Sequence, residues 1–356
     1  MTKIYVYERI QGKPIIPELY PVYGTEDYYT RSQVHLADIF KKYTPFFEVV
    51  ANPSDADYLL YPHWYKEVRK DDRAHLEAAV AFARSVDRIL ILIAYGDDDS
   101  DIALSNTIVL RYSQYRHRKR QNEIIIPPYA PEKLEGEITL RHKHDGVPSI
   151  SFCGRARHAT LRARLKEWIK NSFWEGKAII LRAPYLRAHK GGVSFRERML
   201  QILAASPDVE THFIVRTFFS LNRKTAIGSI ESLQKEFLDN LVGADFALTV
   251  RGDGNAATRF YEALSVGRMP VVVDTDSLLP LEDIIDYQSF CLFVPYTDMA
   301  SLGKHIRAYY DSMDDEEYVK KQRRGREVFE TYLRADAFYR FLFSHPREIS
   351  SRATPL

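Results

Sequence analysis

Apolar and polar positions fall into blocks along this chain, and the blocks predict strands alternating with helices. Lys3 to Tyr7 predicts a first strand, followed by an irregular connection over residues 10–30 rich in Pro and Tyr. Arg31 to Tyr43 has helical spacing, with Val34, Ile39 and Phe40 inward. Ala56 to Tyr61 is a strand stopped by Pro62, which leaves His63 and Trp64 at its carboxyl end. Asp72 to Ser85 predicts an amphipathic helix. Arg88 to Tyr95 is continuously apolar, as expected of a strand covered on both faces in a parallel sheet. It empties into Gly96-Asp97-Asp98-Asp99-Ser100-Asp101. Ile124 to Pro128 is a further strand end, and residues 131–148 have the composition of an interdomain linker.

The pattern then restarts. Pro148 to Cys153 predicts a strand, Gly154-Arg155-Ala156-Arg157 a positively charged turn, and Thr160 to Ser172 a helix. Val209 to Val215 is a strand and Ile230 to Leu241 a helix. Phe246 to Val250 and Pro270 to Val273 are strands separated by a glycine turn and a helix, the order of a βαβ unit. Phe290 to Val294 is a last strand, and Asp315 to Leu342 a long terminal helix with Phe329, Tyr332 and Leu333 inward. The whole is an α/β chain.

The stretch Val250-Arg251-Gly252-Asp253-Gly254-Asn255-Ala256-Ala257-Thr258-Arg259-Phe260-Tyr261-Glu262 concentrates the chemistry. Asn255 fits an N-cap and Gly267 a C-terminal stop. A helix start approached by glycines favours anions, because unpaired N–H groups and the helix dipole point at the ligand. Arg259 adds a forked donor suited to phosphate, and Glu262 an acceptor for ribose hydroxyls. Both are expected to be partly exposed. Gly154, Arg155 and Arg157 form a second anion-site candidate. Ligands of open α/β sheets bind beyond strand carboxyl ends, which makes His63, Asp97 and Asp98 candidates for proton transfer, with Glu26 and Asp27 behind them.

Composition narrows the field modestly. With 356 residues, 45% hydrophobic, the chain is long enough for two cored domains, and its net charge of +2 selects no partner. Cys153 and Cys291 form no disulfide framework or zinc spacing, which fits a reducing compartment. The first residues are a strand pattern rather than a signal peptide, and no apolar run reaches the ~18 residues of a membrane span. Arg111 to Arg120 is the most basic patch. It is short and isolated, so it predicts a solvated face or the neighbourhood of an anionic substrate rather than nucleic-acid binding.

Several windows resemble the exostosin family of nucleotide-sugar glycosyltransferases. They are Thr258-Arg259-Phe260-Tyr261-Glu262-Ala263-Leu264, Gly267-Arg268-Met269-Pro270-Val271, Leu279-Pro280-Leu281 and Tyr287-Gln288-Ser289-Phe290. Three shorter ones agree in order: Ile4-Tyr5-Val6-Tyr7, Pro53 to Pro62, and Ser151-Phe152-Cys153-Gly154-Arg155. The resemblance implies a GT-B architecture of two Rossmann-like domains facing a cleft, with a C-terminal helix crossing back. An acceptor domain over residues 1–146, a donor domain over 147–320 and a returning segment over 321–356 would follow. It implies inverting transfer from a nucleotide-sugar, foremost a UDP-sugar, to a glycan hydroxyl in polysaccharide or surface-glycan synthesis, with no metal or other cofactor required. The donor site would comprise Gly154, Arg155, Arg157, Arg251, Gly252, Gly254, Asn255, Thr258, Arg259 and Glu262, and Asp97, Asp98 or His63 would be catalytic. The family's His-Asp stands here as Tyr95-Gly96-Asp97-Asp98, and Arg251 replaces its Pro before the glycine turn. The lack of the membrane anchor of Golgi members implies a cytoplasmic bacterial or viral enzyme, compatible with peripheral membrane association.

Three alternatives stay open at this level. Gly252, Gly254 and Ala257 loosely match a dinucleotide fingerprint, with Asp274 about 20 residues on, as in an NAD-dependent oxidoreductase. Asp274-Thr275-Asp276 has the form of a metal-binding Asp-x-Asp in GT-A glycosyltransferases. A catalytically silent sugar-binding partner is the third.

Overall fold

The computed structural model describes residues 1–24, 40, 43–130, 132, 134, 138–218, 229–345 and 349. The helix expected over Arg31–Tyr43, apart from Phe40 and Tyr43, and the candidates Glu26 and Asp27 lie outside the described residues. The chain divides into two compact units: Met1–Pro131 with Leu278–Pro280 and Thr331–Leu356, and Glu132–Ser277 with Leu281–Glu330.

The first unit is built on a six-stranded sheet in the order β2-β1-β3-β4-β5-β6. Its strands are β1 (Lys3–Val6), β2 (Glu48–Val49), β3 (Tyr58–Leu60), β4 (Ile89–Ala94), β5 (Thr107–Arg111) and β6 (Glu123–Ile125). Every pairing is parallel. Burial on both faces explains the unbroken apolar run of β4. The helix Arg73–Ser85 buries Leu76, Ala79, Val80 and Ala83, one stripe at helical spacing. β5, all five residues of it buried, was not expected. Its apolar run is only Ile108-Val109-Leu110, and it ends on an arginine.

That arginine, Arg111, is fully buried against an equally buried Glu123. Gln114 Nε2 and the Arg120 amide also donate to the Glu123 carboxylate. The remaining Arg111 donors reach the carbonyls of Ser113 at 2.9 Å, Ser100 at 3.1 Å and Asp98 at 2.6 Å. The ion pair therefore holds the acidic loop by its backbone. Arg118 and Arg120 face Asp99 and Asp101 of the same loop. The basic patch is thus met by the chain's own acidic loop rather than presented as a binding face.

The expected long terminal helix is interrupted. Asp315–Val328 is helical, Phe329–Leu333 widens into a π turn, and Arg334 is extended before the helix Ala335–Ser344. This last helix belongs to the first unit. There Tyr129 and Tyr339 hydroxyls both donate to buried Glu18 and lie 2.9 Å apart. Burial raises the Glu18 pKa, the two tyrosine bonds only partly opposing it.

The second unit carries a five-stranded parallel sheet in the order β11-β10-β9-β7-β8. Its strands are β7 (Ser149–Arg155), β8 (Glu210–Arg216), β9 (Phe246–Thr249), β10 (Met269–Asp274) and β11 (Leu292–Pro295). Two helices, Leu161–Ile180 and Gly192–Ala204, link β7 to β8. The helix Ile230–Val242 links β8 to β9, and Thr258–Ser265 links β9 to β10. The Gly192–Ala204 helix was not anticipated, although Val193, Met199, Leu200 and Leu203 have helical spacing and are buried.

Asp245, fully buried just before β9, fastens the segment expected to be a linker. Its carboxylate accepts from the Ser149 amide at 2.8 Å, Ser149 Oγ at 2.7 Å, Arg141 Nε at 2.9 Å and Tyr318 Oη at 3.1 Å. His144 Nε2 is 3.1 Å away. Residues 141–144 therefore lie along the second unit. Burial alone would raise this carboxyl pKa, but the Ser149 bonds, the Arg141 charge and His144 win and hold it at about 2. A depressed folded pKa stabilises fully above the unfolded value, near 3.8, and the contribution is lost as pH falls through about 2. Asp245→Asn should destabilise by roughly 3–5 kcal/mol at neutral pH, because donors are left facing an amide. Urea unfolding at pH 7, 4 and 2.5 checks this. The variant's deficit should shrink toward the acid end, and a deficit independent of pH contradicts the assignment.

Candidate functional site

In the second sheet the strand order reverses between β7 and β9, and open α/β sheets bind ligands beyond the carboxyl ends at such a switch point. β7 ends in Cys153-Gly154-Arg155, and β9 runs into Val250-Arg251-Gly252. Four guanidinium groups hold these ends. Arg196, from the unanticipated helix, donates to Arg155 O at 3.0 Å and to Val250 O at 3.2 Å, tying the two strands together. Arg155 Nη2 pairs with both oxygens of Asp253 at 2.9 Å. Arg251 is buried, donates to Lys190 O and lies 5.6 Å from the centre of the Phe195 ring.

Arg259 lies across the end of β7. Its Nη2 donates to Cys153 O and its guanidinium sits 4.4 Å from the centre of the Phe152 ring. A Cβ on Gly154, where φ is +156°, would stand 3.0 Å from Arg259 Nη2. Glycine is needed there so that the guanidinium can lie on the strand. Burial pulls the Arg259 pKa below its ordinary value, Glu262 and Cys153 oppose that shift, and Arg216 adds to it. An arginine remains charged regardless. Arg259 Nε is buried without a hydrogen-bond partner. No carboxylate among the described residues lies at ion-pair distance from Arg259. Its counter-charge among the described residues is Glu262, beyond ion-pair distance.

The helix after the glycine turn differs from expectation. It begins at Thr258 with Ala257 at the N-cap and no side-chain cap. Asn255 instead donates to the Thr275 and Asp276 carbonyls at 3.2 and 3.1 Å and accepts from Thr275 Oγ1 at 2.6 Å. Its buried amide is best used bridging to the end of β10. Gly267, at φ +67°, does stop the helix: Gly267 N–H bonds Leu264 O and Arg268 N–H bonds Ala263 O, a Schellman pair. Gly252 receives the Gly192 helix so closely that a Cβ on Gly192 would fall 1.9 Å from Gly252 O. Gly254 is buried, Thr258 and Arg157 are exposed, and Glu262 is half-buried on the Arg259 helix.

In the first unit the three proton-transfer candidates separate. His63 is fully buried, with Nε2 accepting from the Ile10 amide at 2.9 Å and Nδ1 donating to Pro14 O at 2.8 Å. Burial lowers its pKa, the Pro14 bond partly opposing it, and backbone groups occupy both ring nitrogens. Asp98 pairs with Arg69 at 2.8 Å and accepts from the Ser100 amide at 3.0 Å. Burial would raise its pKa, but the Ser100 bonds and the Arg69 and Arg111 charges hold it low, which makes it a poor base. Asp97 is exposed, three residues beyond β4.

Two alternatives lose their geometric basis. The dinucleotide fingerprint belongs to the first βα turn and opens a helix. Gly252 and Gly254 instead follow the third strand of their sheet, and the helix starts only at Thr258. Asp274 Oδ1 is taken up in a turn, accepting from the Ser277 amide at 3.0 Å and from Ser277 Oγ at 3.2 Å. Among the described residues no group of three or more His, Cys, Asp or Glu converges on a common point.

Residues 155–309 match the family model of the Exostosin GT47 domain. Among solved structures, a glycosyltransferase from Rickettsia africae ESF-5 is similar over 98% of this chain and 98% of its own, at 10% identity and a TM-score of 0.39. A likeness at that level carries no argument about the site. The family match runs from the last residue of β7 into the helix Leu302–Asp311 and contains all four switch-point arginines. The second unit accordingly carries a stretch similar to the exostosin GT47 domain of glycosyltransferases.

Proposed function

We propose that this glycosyltransferase inverts the anomeric centre of a nucleotide-sugar, a UDP-sugar first among donors, and needs no metal. The acceptor is a glycan hydroxyl of a polysaccharide or surface glycan. The observation that carries the reading is Arg259, a half-buried cation at the β7/β9 switch point inside the stretch matched by the GT47 model. In this reading the diphosphate sits beyond Gly154 and Gly252, opposite Arg259 and Arg155, and Glu262 accepts from the ribose. Asp97 takes the proton of the acceptor hydroxyl. The oxygen then bonds to the anomeric carbon as the carbon–diphosphate bond breaks. The charge gained by the leaving diphosphate falls on the arginines, as electrostatic stabilisation requires. Arg196 and Arg251 position the strand ends that build the site.

Two sets of variants test this. Arg259→Ala should weaken nucleoside-diphosphate binding by about 10–100-fold, the worth of a charge-assisted bidentate contact, and Arg259→Lys should recover only part of it. Because Arg259 also bonds Cys153 O and covers Phe152, the alanine variant should lose roughly 1–2 kcal/mol of stability. Calorimetric titration well below the melting temperature separates the two effects. Glu262→Gln should weaken binding of the nucleoside alone, which Arg259→Ala should leave nearly intact. Turnover of the parent protein should persist in EDTA. Unchanged diphosphate affinity in Arg259→Ala makes the residue purely structural and moves the donor site.

The acidic loop gives a second contrast. Asp97→Asn should lower kcat about 10²–10⁴-fold at unchanged nucleotide affinity, the usual loss for a general base. Asp98→Asn should instead lower the melting temperature, since it weakens the part-buried ion pair with Arg69. Near-normal kcat in Asp97→Asn places the base elsewhere.

A further inference from the structure

The helix Leu161–Ile180 is amphipathic in the reverse of the usual sense. Its inward stripe is Glu167, Asn171, Trp174 and Ala178, spaced by three or four residues. Glu167 accepts from Ser194 N at 2.8 Å and from Ser194 Oγ at 2.7 Å, Asn171 accepts from Gly191 N at 2.8 Å, and Trp174 stacks on His189 at 4.4 Å. Outward lie Leu161, Leu165, Trp168, Ile169, Phe173 and Ile180, with Trp168 64%, Phe173 61% and Ile180 81% exposed. At about 100° per residue these six occupy an arc of roughly 140°, centred nearly opposite the inward stripe. Such an apolar patch on a soluble surface marks an interaction site.

Charge decides what covers it. Lys166 and Lys170 border the apolar arc on one side and Arg164 on the other, Arg162 stands within the arc in the first turn of the helix, and Arg182 is exposed just beyond its end. The helix has two carboxylates. Glu167 is bonded inward, and Glu175 is paired with Arg187 and Lys190. The outward surface is therefore apolar at its centre and cationic at its rim. Two copies placed face to face would bring like charges together. Apolar side chains reaching the acyl boundary while flanking lysines and arginines extend to headgroups is the geometry of a helix lying in a membrane surface. With 20 residues it is about 30 Å long, and no helix among the described residues is long and apolar enough to cross a membrane.

We propose that the face Leu161–Leu165–Trp168–Ile169–Phe173–Ile180 docks this chain on an anionic lipid surface. The inference is independent of the donor and the catalytic base. It concerns where the enzyme works: an acceptor glycan carried on a lipid would be met at that surface.

The test is cosedimentation of the full chain with phosphatidylcholine vesicles, with and without phosphatidylglycerol. Binding should require the anionic lipid and weaken with salt. Trp168→Glu with Phe173→Glu should reduce it by at least about tenfold. Replacing Lys166 and Lys170 by Gln should reduce it about fivefold per charge removed. The blue shift of tryptophan emission on binding should largely vanish in Trp168→Phe. None of these substitutions should lower the melting temperature, because the side chains point away from the core. Binding that ignores Trp168→Glu and Phe173→Glu overturns the proposal. So does the absence of vesicle binding together with a concentration-dependent dimer that the same pair abolishes, which would make the face a contact between copies.

Discussion

Backbone carbonyls at strand ends and in the loops beyond them need donors that the sheets do not supply, and in both units of this protein arginine side chains supply them. Arg111 spends its donors on the Asp98, Ser100 and Ser113 carbonyls while paired with buried Glu123. Arg196 does the same for Arg155 and Val250, Arg251 for Lys190, and Arg259 for Cys153. A guanidinium suits the task because its planar fork reaches several acceptors at once and is weakly hydrated. The two units differ in what balances the charge. Arg111 has a carboxylate in contact, whereas Arg259 has aromatic faces, a carbonyl and Glu262 at longer range.

Much of this was legible in the chain. The unbroken apolar runs at Ile89–Ala94 and Pro270–Val273 announced parallel strands, and the glycine at 267 marked a helix end. The windows around Arg259 pointed to the family whose GT47 domain model matches residues 155–309. Other features depend on distance in space, which spacing does not encode. His63 stands at a strand end as a catalytic base would, yet two backbone groups occupy its ring nitrogens. Asp97 and Asp98 are adjacent in sequence but differ in partners, because Arg69 comes from a distant turn. Arg196 escaped notice because its helix was not recognised, although Val193, Met199, Leu200 and Leu203 carried the signal. The linker expected over 131–148 is tied down in part because Asp245, about a hundred residues on, needs donors.

The same argument separates the roles of residues that share the switch point. Asn255 is committed to carbonyls and to Thr275, which shapes the loop, and Arg251 donates to Lys190 O. Arg155 is held by an exposed carboxylate, Asp253, and an exposed ion pair is worth little and exchanges readily. A diphosphate entering there would compete with Asp253 for Arg155 and bring Arg259 negative charge at closer range than Glu262.

The central claim is that this switch point takes the diphosphate of a nucleotide-sugar. It is tested most directly by thermal shift of the parent protein against UDP, GDP, CDP and NAD. A ligand at about 100 times its Kd stabilises the folded state by about 2.7 kcal/mol, a readily measured rise in melting temperature. The account predicts that a nucleoside diphosphate, UDP foremost, raises the melting temperature and that NAD does not. Stabilisation by NAD alone, or by none of the four at millimolar concentration, would contradict it.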